Sequence, residues 1–141
     1  MGPLVRAEGT IDSEKYIDIL NTHLIPFMER LEGEIVDYEF QQDNASVHTS
    51  KRTMRFFRGS DINLMEWPGQ SPDLNPIEHL WDELERRIRK REPPPRSEGE
   101  LFALLYEEWG KITDTVFQKL ILSMNSRVKA VQWARGYAIK Y

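Results

Sequence analysis

Cysteine is absent from the 141 residues. Disulfides and thiolate metal sites are therefore excluded, and any metal must be held by carboxylates or imidazoles, a set that includes the oxygen donors suited to magnesium and manganese. Long apolar runs are missing too. No stretch approaches the roughly 18 residues a membrane span needs, and residues 1–15 lack the basic-then-apolar order of a secretory signal, which points to the cytosol or nucleus. Positive charge is not in excess: 19 Lys and Arg face 23 Asp and Glu, a net charge of −4. That balance argues against a chain that coats nucleic acid without preference, although it averages clusters of opposite sign. No internal repeat occurs, and the only biased tract is Pro93-Pro94-Pro95. What remains is ample for a core: 40% hydrophobic and 11% aromatic residues in a length that suits one domain.

Hydrophobic periodicity predicts an α/β order of strand, helix, strand, helix, strand, then helices only, with strands near 4–7, 35–42 and 62–67. Asp12 can cap a helix over about 13–31, with Ile11 and Tyr16 at staple positions, and Pro26 should kink or split it near Ile25. Ser50 can cap a short helix that stops at Gly59. Asn75 and Pro76 suit the N-cap and first position of a helix whose Ile77, Leu80, Trp81, Leu84 and Ile88 form one apolar face. The triple proline must end it. Ser97 opens another helix with capping-box spacing to Glu100, Thr113 or Asp114 opens a third, and a last segment is expected over about 126–134. Helical or strand spacing places Trp67, Trp81, Trp109 and Trp133 in the core.

Two acids occupy special places. Asp43 follows a predicted strand, where ligands sit in α/β sheets, yet beside Asn44 it also suits a turn. Glu78 lies in the first turn of a helix, and Asn75-x-x-Glu78 has capping-box spacing, so it can serve the backbone, a ligand, or both. His48 can contact a phosphate or a metal, or be a structural histidine near the site. Lys51, Arg52 and Arg55, with Arg58, and the run Arg86, Arg87, Arg89, Lys90 and Arg91 can track a DNA backbone or act as a nuclear-import signal. They can equally be solvated helix faces with cations at the carboxyl end of the dipole.

The segments QQDNASVHTS (41–50) and WPGQSPDLNPIEHLW (67–81) resemble signature blocks of the Tc/mariner superfamily of cut-and-paste DNA transposases. Asp43 and Glu78 enclose residues 44 to 77, 34 in all, which is the spacing of the Tc branch with glutamate as third acid. The resemblance runs over essentially the whole chain. It implies a truncated ribonuclease H-like fold of about three strands with an all-helical carboxy-terminal part, and DNA cleavage and strand transfer by two divalent metals, Mg2+ or Mn2+. Asp43 matches the family's second acid and Glu78 its third, with the rigid Ser71-to-Pro76 loop preorganising Glu78. The implied partners are transposon-end and target DNA, and the implied location is nuclear, or cytoplasmic for an isolated fragment.

The family's first acid and its amino-terminal helix-turn-helix modules have no counterpart in the sequence. The expectation is therefore a partial catalytic domain over 1–141, inactive alone because a ligand that bridges both metals is missing. The absent strands would leave backbone groups unpaired beside the strand at 35–42. Either the remaining strands close up, or a homodimer or complementing chain supplies the pairing. The alternative function is a non-catalytic DNA-binding or dimerising module in which the acids are structural.

Overall fold

Four helices begin by one device: a short polar side chain accepts a hydrogen bond from an amide of the first turn, which otherwise lacks a partner. Asp12 Oδ1 accepts from Glu14 and Lys15 at 3.0 and 2.9 Å. Ser50 Oγ accepts from Thr53 at 3.1 Å, Asn75 Oδ1 from Ile77 at 3.4 Å and Ser97 Oγ from Glu100 at 3.1 Å. The structure, a computed structural model, describes residues 2–31, 38–69, 71–137 and 139. It divides into two units, Met1–Gln70 and Ser71–Tyr141. Among the described residues no helix is long and apolar enough to cross a membrane.

The first unit holds α1 (Ser13–Ile19), a π turn (Leu20–Leu24), α2 (Ile25–Leu31) and α3 (Lys51–Gly59). The expected split at Pro26 takes the form of that π turn. Pro26 cannot donate a backbone bond and its ring would crowd the carbonyl four residues back, so the helix widens before it, and the Ile25 amide reaches back five residues to Leu20 O. Leu20, Met28 and Phe57 are buried, and α1 packs on α3. Phe40 stacks on Phe57 with ring centroids 5.8 Å apart.

The expected three-strand sheet is not found. Among the described residues there is no strand. Phe40 and Leu64 form one isolated parallel bridge, made by Phe40 N–H to Asn63 O at 2.7 Å and Met65 N–H to Phe40 O at 3.0 Å. Residues 4–7 are irregular, and 35–37 lie outside the described residues. The physical reason is that β-branched and aromatic runs become strands only against a laddering neighbour, and a single bridge supplies one rung. Past Phe40 the chain turns away at Asp43. Past Met65, Pro68 has no amide to lend.

The second unit holds a 3-10 turn (Pro72–Leu74), α4 (Pro76–Arg89), α5 (Glu98–Gly110) and α6 (Asp114–Trp133). Leu80, Leu84 and Ile112 are its buried centre, covered by Ile77, Leu105, Trp109, Val116, Phe117 and Leu120. Trp81 stacks on Trp109 at 5.6 Å. The segment expected as a separate helix near 126–134 is the continuation of α6, whose 20 residues run unbroken. Two expected core residues are misplaced by spacing: Trp133 is 92% exposed, and Trp81, although stacked on Trp109, is 40% exposed.

Candidate metal and nucleic-acid site

In the first unit Asp43 opens the turn that follows the Phe40–Leu64 bridge. Its Oδ1 accepts from the Ala45 amide at 2.9 Å and from His48 Nδ1 at 2.6 Å. His48 and Thr49 amides return to Ala45 O at 2.9 and 3.0 Å. Asn44 Nδ2 ties the turn to Trp67 O at 2.8 Å, and the fully buried Thr53 donates to Val47 O at 2.6 Å. Asp43 thus has the turn duty that its neighbour Asn44 suggests. That duty occupies one oxygen, and the side chain remains 54% exposed. The Ala45 amide first, and then His48, hold the Asp43 carboxyl below its usual range against the opposing effect of burial. It is an anion at neutral pH.

Two residues not singled out from the sequence as site residues complete this arrangement. The Tyr16 ring lies on the His48 ring with centroids 4.3 Å apart, and its hydroxyl donates to Gln42 Oε1 at 2.8 Å. Gln42 Nε2 then donates to His48 O at 3.3 Å. Burial, with the Asp43 charge adding to it, pushes the Tyr16 phenol well above its usual value, so it stays a neutral donor. Tyr16 sits at a staple position, and that apolar role hid its hydroxyl. Gln42, polar at the end of an apolar run and next to Asp43, was the available signal.

In the second unit Glu78 is exposed in the first turn of α4. The reciprocal half of the capping box is not formed, because the Asn75 amide donates to Pro72 O at 3.0 Å as the 3-10 turn closes. Among the described residues the Glu78 carboxylate has no hydrogen bond or ion pair. Around it the loop is braced by α6 and the chain end. The Ile139 amide donates to Asp73 Oδ2 at 3.0 Å, and Arg127, 2% exposed, reaches Asp73 O at 3.5 Å.

The basic residues divide by partner. In the first unit Arg52 pairs with Glu14 at 3.0 Å, whereas Lys51 and Arg55 are exposed with no ion pair among the described residues. In the second unit the run at the end of α4 is largely answered. Arg86 and Arg87 pair with Glu83, and Arg87 reaches Glu108 at 3.6 Å. Arg89 pairs with Glu85 at 2.6 Å, and Arg91 pairs with Glu107 at 2.7 Å and with Glu108. Lys90, the C-cap of α4, has no ion pair among the described residues. Lys111 and then Arg91 hold the buried Glu108 carboxyl below its usual range.

Among the described residues no group of three or more His, Asp or Glu side chains forms a metal cage. The donors present nevertheless suit a hard cation: Asp43 offers an anionic oxygen outside its turn bonds, and Glu78 an unengaged carboxylate.

Residues 3–99 match the family model of the DDE superfamily endonucleases, and the chain belongs to that family, in its Tc/mariner transposase branch. Over 141 residues it is 46% identical to the Tcb1 transposase of Caenorhabditis briggsae, an alignment that takes in all of this chain and 50% of the relative. Against the Tc1 transposase of Caenorhabditis elegans the identity is 42% over 144 residues, again with all of this chain and 50% of the relative. The chain spans about half the length of the curated relatives it matches. In fold it is similar to the catalytic domain of the Mos1 mariner transposase, with a TM-score of 0.79 at 18% identity over 98% of this chain and 69% of that one. That domain has been solved with raltegravir and manganese, and with raltegravir and magnesium.

Proposed function

We propose that the 141 residues form the carboxy-terminal part of a DDE catalytic domain, with Asp43 and Glu78 as its second and third metal-binding carboxylates and DNA as its substrate in the nucleus. Asp43 and Glu78 would hold magnesium or manganese, which would supply activation of the attacking water or 3′-hydroxyl and stabilisation of the leaving oxygen. The chain's own residues supply anionic oxygens and hold them still. The Ala45 amide and His48 orient Asp43 from one oxygen and keep it ionised, while the Pro72 carbonyl and Asn75 side chain set the first turn of α4. The observation that carries the reading is at Glu78. The backbone amide its side chain would cap donates instead to Pro72, which leaves, at the spacing the family uses, a first-turn carboxylate with no hydrogen bond or ion pair among the described residues.

By themselves the 141 residues lack a match to the first acid, and they do not cut or join DNA in this reading. Incubation with supercoiled plasmid and manganese checks it: intact plasmid is expected, and nicking that disappears in Asp43→Ala overturns the proposed inactivity. Calorimetry with manganese checks the carboxylates. Weak binding that is lost in Glu78→Gln is expected, and heats indifferent to that change favour a second reading. In that reading the chain is a non-catalytic DNA-binding or dimerising module, favoured by the turn duty of Asp43. A homodimer or a complementing segment belongs to either reading, and a monomeric mass in solution removes the homodimer.

A further inference from the structure

Between Thr115 and Tyr141 there is no aspartate or glutamate but five Lys and Arg, which leaves 14 Lys and Arg against 23 Asp and Glu in the first 114 residues. Most of this stretch is α6. Its inner stripe carries Val116, Phe117 and Leu120 against the core and Arg127 against the Asp73 loop. At about 100° per residue, Lys119, Leu122, Ser126, Lys129 and Trp133 fall together on the outer side. All five are exposed, Leu122 by 74% and Trp133 by 92%, and Tyr137 just beyond is 78% exposed. Among the described residues Lys119, Lys129 and Arg135 enter no ion pair, in contrast to the answered arginines at the end of α4. Arg135 also holds a left-handed backbone, φ 53°, at the turn after the helix, where glycine would be unstrained.

We propose that this outer face of α6, with Arg135 and Tyr137, binds unpaired nucleotides. The cations meet phosphates, and Trp133 and Tyr137 stack on bases. From Lys119 to Trp133 the helix advances about 21 Å, room for about six nucleotides at the ~3.4 Å advance of a stacked strand. A second copy of the chain is the other occupant to weigh, since exposed apolar residues also suit self-association. A two-fold interface through this face would set a cationic surface against its own copy, with no acid between Thr115 and Tyr141 to answer Lys119, Lys129 or Arg135. A single strand brings the negative charge the face lacks and flat bases for Trp133 and Tyr137 to stack on. The site is independent of Asp43 and Glu78, and its test uses chelator-treated protein without divalent metal, so its failure is distinct from failure of the metal reading.

Fluorescence anisotropy with a labelled ten-residue oligothymidylate measures it. The expected result is saturable binding at 50 mM salt, with a log–log salt slope of about −2 for three phosphate contacts. Trp133→Ala should weaken binding about tenfold while leaving the slope unchanged. Lys129→Gln should make the slope shallower by about 0.7. Arg135→Gly should bind more weakly while melting at a higher temperature, a split that a purely structural arginine would not give. Absence of binding at 50 mM salt overturns the proposal, as does equal affinity for inorganic polyphosphate of matched charge. So does a Trp133→Ala protein that keeps its nucleotide affinity but sediments as a smaller species, which would make the face a protein interface.

Discussion

At Asp43 the side chain itself is gripped: one oxygen takes the Ala45 amide and His48, and behind His48 stand the Tyr16 ring and a Gln42 bridge. At Glu78 the side chain has no hydrogen bond or ion pair among the described residues, and the backbone beneath it is fixed by a 3-10 turn, an asparagine cap and a helix seated on Leu80 and Leu84. The difference teaches that a carboxylate can be placed in two ways. A clamped acid is aimed and kept ionised at the cost of one acceptor. An acid on a rigid helix start keeps both acceptors but relies on the stability of the element that carries it.

The contrast is broken most severely by emptying the core under α4. Leu84, fully buried, should cost about 2–5 kcal/mol on truncation to alanine, because both transfer energy and a cavity are lost; urea unfolding measures it, and a loss under 1 kcal/mol would mean that α4 is not anchored there. A milder change is Asn75→Ala, which removes the cap acceptor for Ile77. It should cost about 1 kcal/mol, with faster amide exchange in the first turn of α4 and no change at Ala45.

The smallest effect concerns acid. Because the folded Asp43 carboxyl lies below its ordinary 3.8, it contributes stability that is present above that value and is lost as pH falls through the lower folded value. Asp43→Asn should therefore lose less thermal stability than the parent between pH 5 and pH 3. An equal loss in both proteins would show that the grip on Asp43 stabilises nothing.

What the sequence revealed followed the range of the interactions involved. Caps act within three residues, so Asp12, Ser50, Asn75 and Ser97 announced their helices correctly, and the apolar face of α4 was legible from its own spacing. The family was legible because its two signature blocks are continuous in the chain. The strands were misread because pairing is decided by a distant partner, and only the Phe40–Leu64 rung exists among the described residues. Trp133 was misread because helical spacing fixes which residues share a face but not whether anything covers it. The Tyr16–His48–Gln42 contacts, which join positions 16, 42 and 48, lay beyond any local pattern.

The π turn before Pro26 inserts one residue's worth of rotation, about 100°, into what would otherwise be a single helix. The phase of α1 relative to α2 is thereby fixed by the number of residues in Leu20–Leu24 rather than by their chemistry. Asn21 and Thr22 point to solvent, and their identities are negotiable. A one-residue deletion there would restore an ordinary helix yet swing Tyr16 away from His48, so in this segment the number of residues, more than their side chains, sets the geometry.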